Sequence, residues 1–147
     1  MAERYDVIVV GVGAMGSAAC CFLARRGVRV LGIDRYGVPN MQGSSHGDSR
    51  VFRLCYYEHP DYVPLLERAR ELWDELERET GRTIRHVTGG LYMGPPDSKF
   101  IRGCVLAARE HDLPHELLDR KAVGERHPQF RLPDDHAAIY EPEAGIL

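Results

Sequence analysis

The chain has no C-x-x-C pair, no block of like charge and no long apolar run. Each absence removes a class of function. Its four cysteines, Cys20, Cys21, Cys55 and Cys104, lack ligand-like spacing, so no zinc site is expected. Cys20 and Cys21 are adjacent in one predicted helix and could bridge each other only with severe distortion. All four read as reduced, small apolar residues of a cytoplasmic protein. His86, His111, His115, His127 and His136 are also scattered without metal-ligand spacing and read as surface or structural residues. A net charge of −3, spread without blocks, gives no basic face for nucleic acid or an anionic membrane. A membrane-spanning helix needs about 18 or more apolar residues, and none is found. The first apolar run has the length of a strand, so no signal peptide is expected. What is present is an ordinary globular balance, 44% hydrophobic and 28% charged over 147 residues, enough for a packed core.

The informative stretch is Tyr5 to Gly16. Val7, Ile8, Val9 and Val10 form a continuous β-branched run, suited to a parallel strand covered on both faces. Gly11, Gly13 and Gly16 follow in the spacing G-x-G-x-x-G. The first glycine permits the tight turn, the second lets a pyrophosphate approach the backbone, and the third lets helix and strand pack closely. Alone, that spacing is weak; its context strengthens it. A helix is predicted from Ala14 to Arg26, closed by Gly27, and a second strand from Val28 to Ile33 ends at Asp34. Asp34 falls near the ~20-residue distance at which a carboxylate meets the adenosine ribose hydroxyls, and it argues against a 2′-phosphate. Arg35 is a mild counter-signal. The fold class expected is therefore α/β, a Rossmann-like βαβ start.

Gly37, Pro39, Asn40, Gly43 and Gly47 then forbid regular structure over most of the segment to Arg53. Ser44, Ser45 and Ser49 offer hydroxyls, and Arg50 and Arg53 offer forked cations suited to carboxylate or phosphate. A solvated loop is the bland reading of this segment; a ligand-side loop is the functional one. Asp61 is expected to cap a helix that runs along Leu65, Leu66, Ala69, Leu72, Trp73 and Leu76 to a stop at Gly81. That helix's charged outer face reads as solvated ion pairs, not acid–base machinery. Extended chain is expected over Thr83–Met93, bent at Gly89–Gly90. A helix capped by Ser98, a strand at His115–Leu118, a short helix capped by Asp119 and a strand at Ala137–Tyr140 follow. Glu141–Pro142 then turns the chain.

Gly11-x-Gly-x-x-Gly16, Asp34 and the block Gly43-Ser-Ser-His-Gly-Asp-Ser-Arg-Val-Phe-Arg53 together resemble the monomeric sarcosine oxidase family, which includes the N-methyltryptophan oxidases. The resemblance continues through Tyr62-Val-Pro-Leu65, Glu71 to Glu77, Thr88-Gly-Gly90 and Glu141 to Leu147, and so covers nearly the whole chain. It implies FAD as cofactor. It also implies an N-terminal fragment: residues 1–82 as the first segment of an FAD-binding domain, 83–140 as the first part of an α+β substrate domain, and 141–147 as the start of the return. The cofactor-binding set it implies is Gly11, Gly13, Ala14, Met15, Gly16, Asp34, Arg35, Ser44, Ser45, His46 and Arg50. The catalytic set is His46, Arg50 and Arg53, with Arg53 on the substrate carboxylate. Implied substrates are an N-methyl or cyclic secondary amino acid and O2. The full-length protein would be a cytoplasmic monomer with no nucleic-acid or membrane partner, and the fragment alone would be inactive. An NAD-dependent dehydrogenase and a non-catalytic dinucleotide-binding remnant are the competing readings.

Overall fold

Four consecutive β-branched residues leave the backbone little choice but an extended strand. In the computed structural model, which describes residues 3–147, β1 spans Val7–Val10. The chain turns at Gly11, whose φ of 91° is open to glycine at little cost, and enters α1 at Ala14–Arg25. Arg26 ends α1, and Gly27 follows at φ 77°, one residue outside the helix. The second strand, β2, covers Val30–Ile33 and is shorter than expected by the two residues that leave the turn. It pairs parallel with β1, Val7 opposite Val30 and Val10 opposite Ile33.

The chain divides after Arg50 into two compact units. In the first, α1 covers the β1 face that carries Val9. Ile8 and Val10 on the other face are 56% and 84% exposed. The expectation of cover on both faces of β1 therefore fails within this unit, because a single helix can cover only one face of a two-stranded sheet.

The second unit opens with β3, Val51–Phe52, where an irregular segment was expected. A 3-10 turn at Pro60–Tyr62 leads into α2, Val63–Thr80, and Gly81 terminates it at φ 67°. Asp61 does not cap this helix. His59 caps the preceding 3-10 turn instead, its Nδ1 accepting from the Asp61 N–H at 3.3 Å, because Pro60 starts that turn one step earlier; α2 itself has Tyr62 at its N-cap and no side-chain cap. Two strands follow, β4 at His86–Val87 and β5 at Gly90–Gly94, separated by Gly89 at φ 74°. Next come α3 at Lys99–Glu110, β6 at Glu116–Leu118 and α4 at Arg120–Arg126. Ser98 and Asp119 cap the two helices as expected, accepting from the N–H groups of Ile101 and Ala122. The chain ends with β7, Ala137–Glu141, and β8, Gly145–Ile146.

Antiparallel pairing gives two small sheets, β3-β8-β4 and β5-β7-β6. The larger core joins Phe52, Leu54, Cys55 and Val63 to Ile101, Cys104, Ala107 and Ile139, with Leu66, Ala69 and Trp73 of α2 packed against it. Trp73 is thus a packing residue. Compactness changes at Arg50 and not near residue 82, because this core ties α2 to the elements that follow it. A smaller core gathers Leu118, Val123, Leu132 and Ala138. Among the described residues no helix is long and apolar enough to cross a membrane, and no group of three metal-ligating side chains could hold a metal ion.

The loop between α2 and β4 is anchored by one carboxylate. Glu77 accepts from the Ile84 and Arg85 N–H groups, the latter at 2.7 Å. These backbone bonds, Arg85's first, and the Arg85 charge hold the Glu77 carboxyl below its ordinary value of 4.5. A carboxyl with a lowered folded pKa stabilises the fold above its unfolded pKa and loses that contribution as pH falls through the folded one. Glu77→Gln is therefore expected to lower the denaturant midpoint at pH 7, and its gap from the wild type should close as pH is taken from 7 to 3. A gap that is constant with pH would show that Glu77 contributes through packing alone.

Candidate functional site

The first unit places three of the expected features together at the end of β1. The turn Gly11–Gly13 delivers the chain to α1, whose N-cap, Gly13, is extended at φ −81° and ψ −160°. No side chain caps this helix start, and its first turn holds no acidic residue. The free N–H groups and the positive end of the helix dipole are therefore left for an external anion. A Cβ placed on Gly13 would meet nothing nearer than Ser45 Oγ at 4.0 Å, so the outer face of the turn is open. A Cβ on Gly16 would collide with the Gly11 carbonyl, which shows how tightly the helix sits on its turn. Ala14 and Met15 form the first helical residues, with Met15 86% exposed.

Asp34, at the end of β2, ties the second strand to the glycine turn. Its Oδ2 accepts from the Val12 N–H at 2.7 Å, and its Oδ1 accepts from the Tyr36 N–H at 2.9 Å and from Asn40 Nδ2 at 3.3 Å. The Tyr36 and Val12 backbone bonds, with help from Asn40, hold its carboxyl below the usual range, so it is an anion at neutral pH. Asn40, a loop former by residue type, also donates to Gly37 O and accepts from the Gln42 N–H. It organises the loop after β2. Arg35 stacks over the Tyr36 ring at 5.7 Å.

The loop from Gly43 to Arg50 is built around its own carbonyl groups. His46 Nδ1 bonds Gly43 O. Arg50 turns its guanidinium inward, donating to Ser49 O at 2.9 Å, to Ser44 O at 3.0 Å and to His46 O. Ser45 is the hydroxyl that reaches the glycine turn; Ser44 contributes its carbonyl to Arg50.

Arg53 belongs to the second unit. Its guanidinium lies 4.4 Å from the Tyr56 ring centroid and 5.5 Å from that of Tyr57, with Glu58 at 3.6 Å. Stacking on two aromatic faces is a use of Arg that Lys would not reproduce. The residues after it lead to the feature that sequence reasoning missed. Glu141 is 1% exposed and accepts three hydrogen bonds, from the Leu54 N–H at 2.7 Å, the Cys55 N–H at 3.0 Å and the Tyr92 hydroxyl at 2.7 Å. A buried carboxylate is tolerable only when so satisfied. Burial, then the Glu141 charge, pushes both the Tyr92 hydroxyl and the Cys55 thiol well up, and burial raises the Cys104 thiol to about 11. All four cysteines are free, and the buried pair act as packing groups. A signal for Glu141 was present: Ile139 and Glu141 alternate onto one face of β7, so a charge was written at an inward position.

Monomeric sarcosine oxidase of Streptomyces avermitilis is 48% identical over 147 residues, covering all of this chain and 38% of that protein. N-methyl-L-tryptophan oxidase of Yersinia pestis is 40% identical over 97% of this chain and 38% of its own length. Among solved structures, NikD, described as an unusual amino acid oxidase essential for nikkomycin biosynthesis, matches with a TM-score of 0.84 and 31% identity over 99% of this chain and 38% of its own. The chain thus spans 38% of the length of these relatives. A family model described as FAD dependent oxidoreductase matches residues 6–147. That match starts beside β1 and takes in both compact units, so the chain belongs to the FAD dependent oxidoreductase family.

Proposed function

We propose that this chain is the FAD-binding start of an oxidase acting on a secondary N-methyl or cyclic amino acid of the sarcosine kind. The observation that carries the reading is the open outer face of Gly13, beside Ser45 and above an uncapped helix start. In this reading the diphosphate rests on the backbone from Gly11 to Gly16, including Ala14 and Met15, and the Asp34 carboxylate meets the ribose hydroxyls. Arg35 would flank the ribose end, and Ser44, Ser45 and His46 would serve the flavin end. Arg50, held in that loop by the Ser44, His46 and Ser49 carbonyls, would place a positive charge near the flavin and make it a stronger electron acceptor. Arg53 would take the substrate carboxylate with a guanidinium already resting over the Tyr56 ring.

When bound, FAD supplies the two-electron oxidation of the amine to an imine, with O2 as final acceptor and H2O2 as product. Water then cleaves the imine of an N-methyl substrate to the amino acid and formaldehyde. Residues 1–82 and 141–147 serve the flavin side and residues 83–140 the substrate side, a division of labour that need not follow compactness. The 147 residues alone bind flavin but do not turn over substrate.

The purified chain titrated with FAD is expected to retain the flavin on gel filtration with a structured absorbance band, and to release it to excess ADP but not to NAD+. Sarcosine added to the loaded chain should give no peroxide. Retention of NAD+ in preference to FAD would overturn the cofactor assignment, and peroxide at an enzymatic rate would overturn the division of labour.

A further inference from the structure

Arg53 is bracketed. On one side, Phe52 pairs with Gly145 and Val51 with Ile146 in the β3–β8 ladder. On the other, the next two peptide N–H groups, of Leu54 and Cys55, both donate to the Glu141 carboxylate. Glu141 and Gly145 are the two ends of one tight connection, closed by the Ala144 N–H to Glu141 O bond at 3.4 Å. A single turn between β7 and β8 therefore supplies the anchors before and after Arg53. Leu54 and Cys55 are buried on the core side, which leaves Arg53 as the one residue of this run directed toward the tyrosines and Glu58. The third donor to Glu141, Tyr92, comes from β5, and Gly90 leaves room for its phenol: a Cβ there would lie 3.0 Å from Tyr92 Oη.

We propose that Glu141 is a positioning residue for Arg53: its buried carboxylate fixes the peptide run that sets where the Arg53 guanidinium stands. The proposal rests on the reading that Arg53 receives the substrate carboxylate. A carboxylate is needed because two oxygens must accept from three donors at once. Glutamine keeps the length but offers one accepting oxygen, and its NH2 would face a donor. A guanidinium misplaced by about 1 Å from a bound carboxylate can cost up to about a hundredfold in a reaction it orients.

The test uses the 147-residue chain, 15N-labelled, with the Arg53 Nε–H signal assigned by Arg53→Lys. N-methylglycine and acetate are the probes. Glu141→Gln is expected to shift the Leu54 and Cys55 amides, broaden the Arg53 Nε–H signal, and weaken the probe response at Arg53 by about tenfold. Tyr92→Phe keeps both backbone bonds and is expected to leave Arg53 as in the wild type. An unchanged Arg53 signal in Glu141→Gln, with the two amides shifted, would overturn the proposal. So would a Tyr92→Phe variant that disturbs Arg53 equally, since that would be general loosening of the core. If Glu141→Gln does not fold, Glu141→Asp, which keeps the charge and retracts it, is judged by the same two readouts. A wild-type Arg53 blind to both probes would refute carboxylate binding, while the order of its Nε–H in the variants still decides the positioning role.

Discussion

Gly16→Ala is expected to unfold the N-terminal unit and abolish flavin binding, whereas Gly13→Ala should keep the fold and weaken binding alone. Both residues belong to the same glycine signature, and the difference lies in what a methyl group would meet. At Gly16 it would collide with the Gly11 carbonyl oxygen and lie 2.9 Å from the carbonyl carbon, both backbone atoms that cannot swing aside. Helix propensity favours alanine over glycine there by about 1 kcal/mol. Overpacking against fixed atoms costs about 1–3 kcal/mol and sometimes more, which outweighs that gain. The unit has little in reserve: α1 has no buried residue, and β1 leaves Ile8 and Val10 exposed. A unit this small is marginal to begin with, so a cost of about 3 kcal/mol is enough to empty its folded state. At Gly13 the nearest atom to the new methyl is Ser45 Oγ at 4.0 Å, and the backbone is extended, so the free protein accommodates it. The methyl would instead occupy the face where a diphosphate must approach, and about tenfold weaker FAD affinity, or worse, is expected. Circular dichroism and amide dispersion report the fold, and a flavin titration reports the binding. Equal loss of fold in the two variants would show that the open face of Gly13 is not a cradle.

The same glycines show what could be read from the letters and what could not. The turn, its helix and the parallel partner strand were legible because each follows from local rules: β-branched residues, glycine spacing and a cap. Ser98, Asp119 and Gly81 were legible for the same reason, each acting on residues close by in sequence. Asp34 stands out in the sequence by its distance from the turn, but its three partners do not, since they depend on how the loop to Asn40 folds back. The Asp61 cap failed because His59 and Pro60 claim the same turn one step earlier. Glu141 escaped for a different reason. Its donors at Leu54 and Cys55 lie far away in the chain, and only the meeting of β7 with the run after β3 makes a buried carboxylate affordable. Short strands such as β3 and β8 are invisible to periodicity, because two residues carry no period; they exist through each other.

The larger core yields the second expected result, a pair of identical substitutions with opposite outcomes. Gly103→Ala in α3 should destabilise the C-terminal unit by about 3 kcal/mol or more, while Gly124→Ala in α4 should stabilise it by about 0.5–1 kcal/mol. Both glycines are interior helical residues, so propensity alone predicts a gain at each. A Cβ on Gly124 would meet nothing within 4 Å, and the propensity gain stands. A Cβ on Gly103 would strike the Tyr57 carbonyl oxygen and lie 2.8 Å from both the carbonyl carbon and the Cα of that residue. Tyr57 cannot yield easily. Its ring packs edge-on to Phe100 at 5.2 Å, and it follows Leu54 and Cys55, the buried residues that Glu141 holds. α3 would have to back away from the run that carries Arg53, loosening Cys104, Ala107 and Ala108 in the core. Each kcal/mol should appear as about 4–8 °C in the melting temperature of a unit of this size. The thermal melt of each variant therefore decides the matter by sign. A Gly103→Ala protein as stable as Gly124→Ala would mean that α3 does not approach the Tyr57 backbone as closely as the structure shows, and that the run beyond Arg53 is held by Glu141 alone.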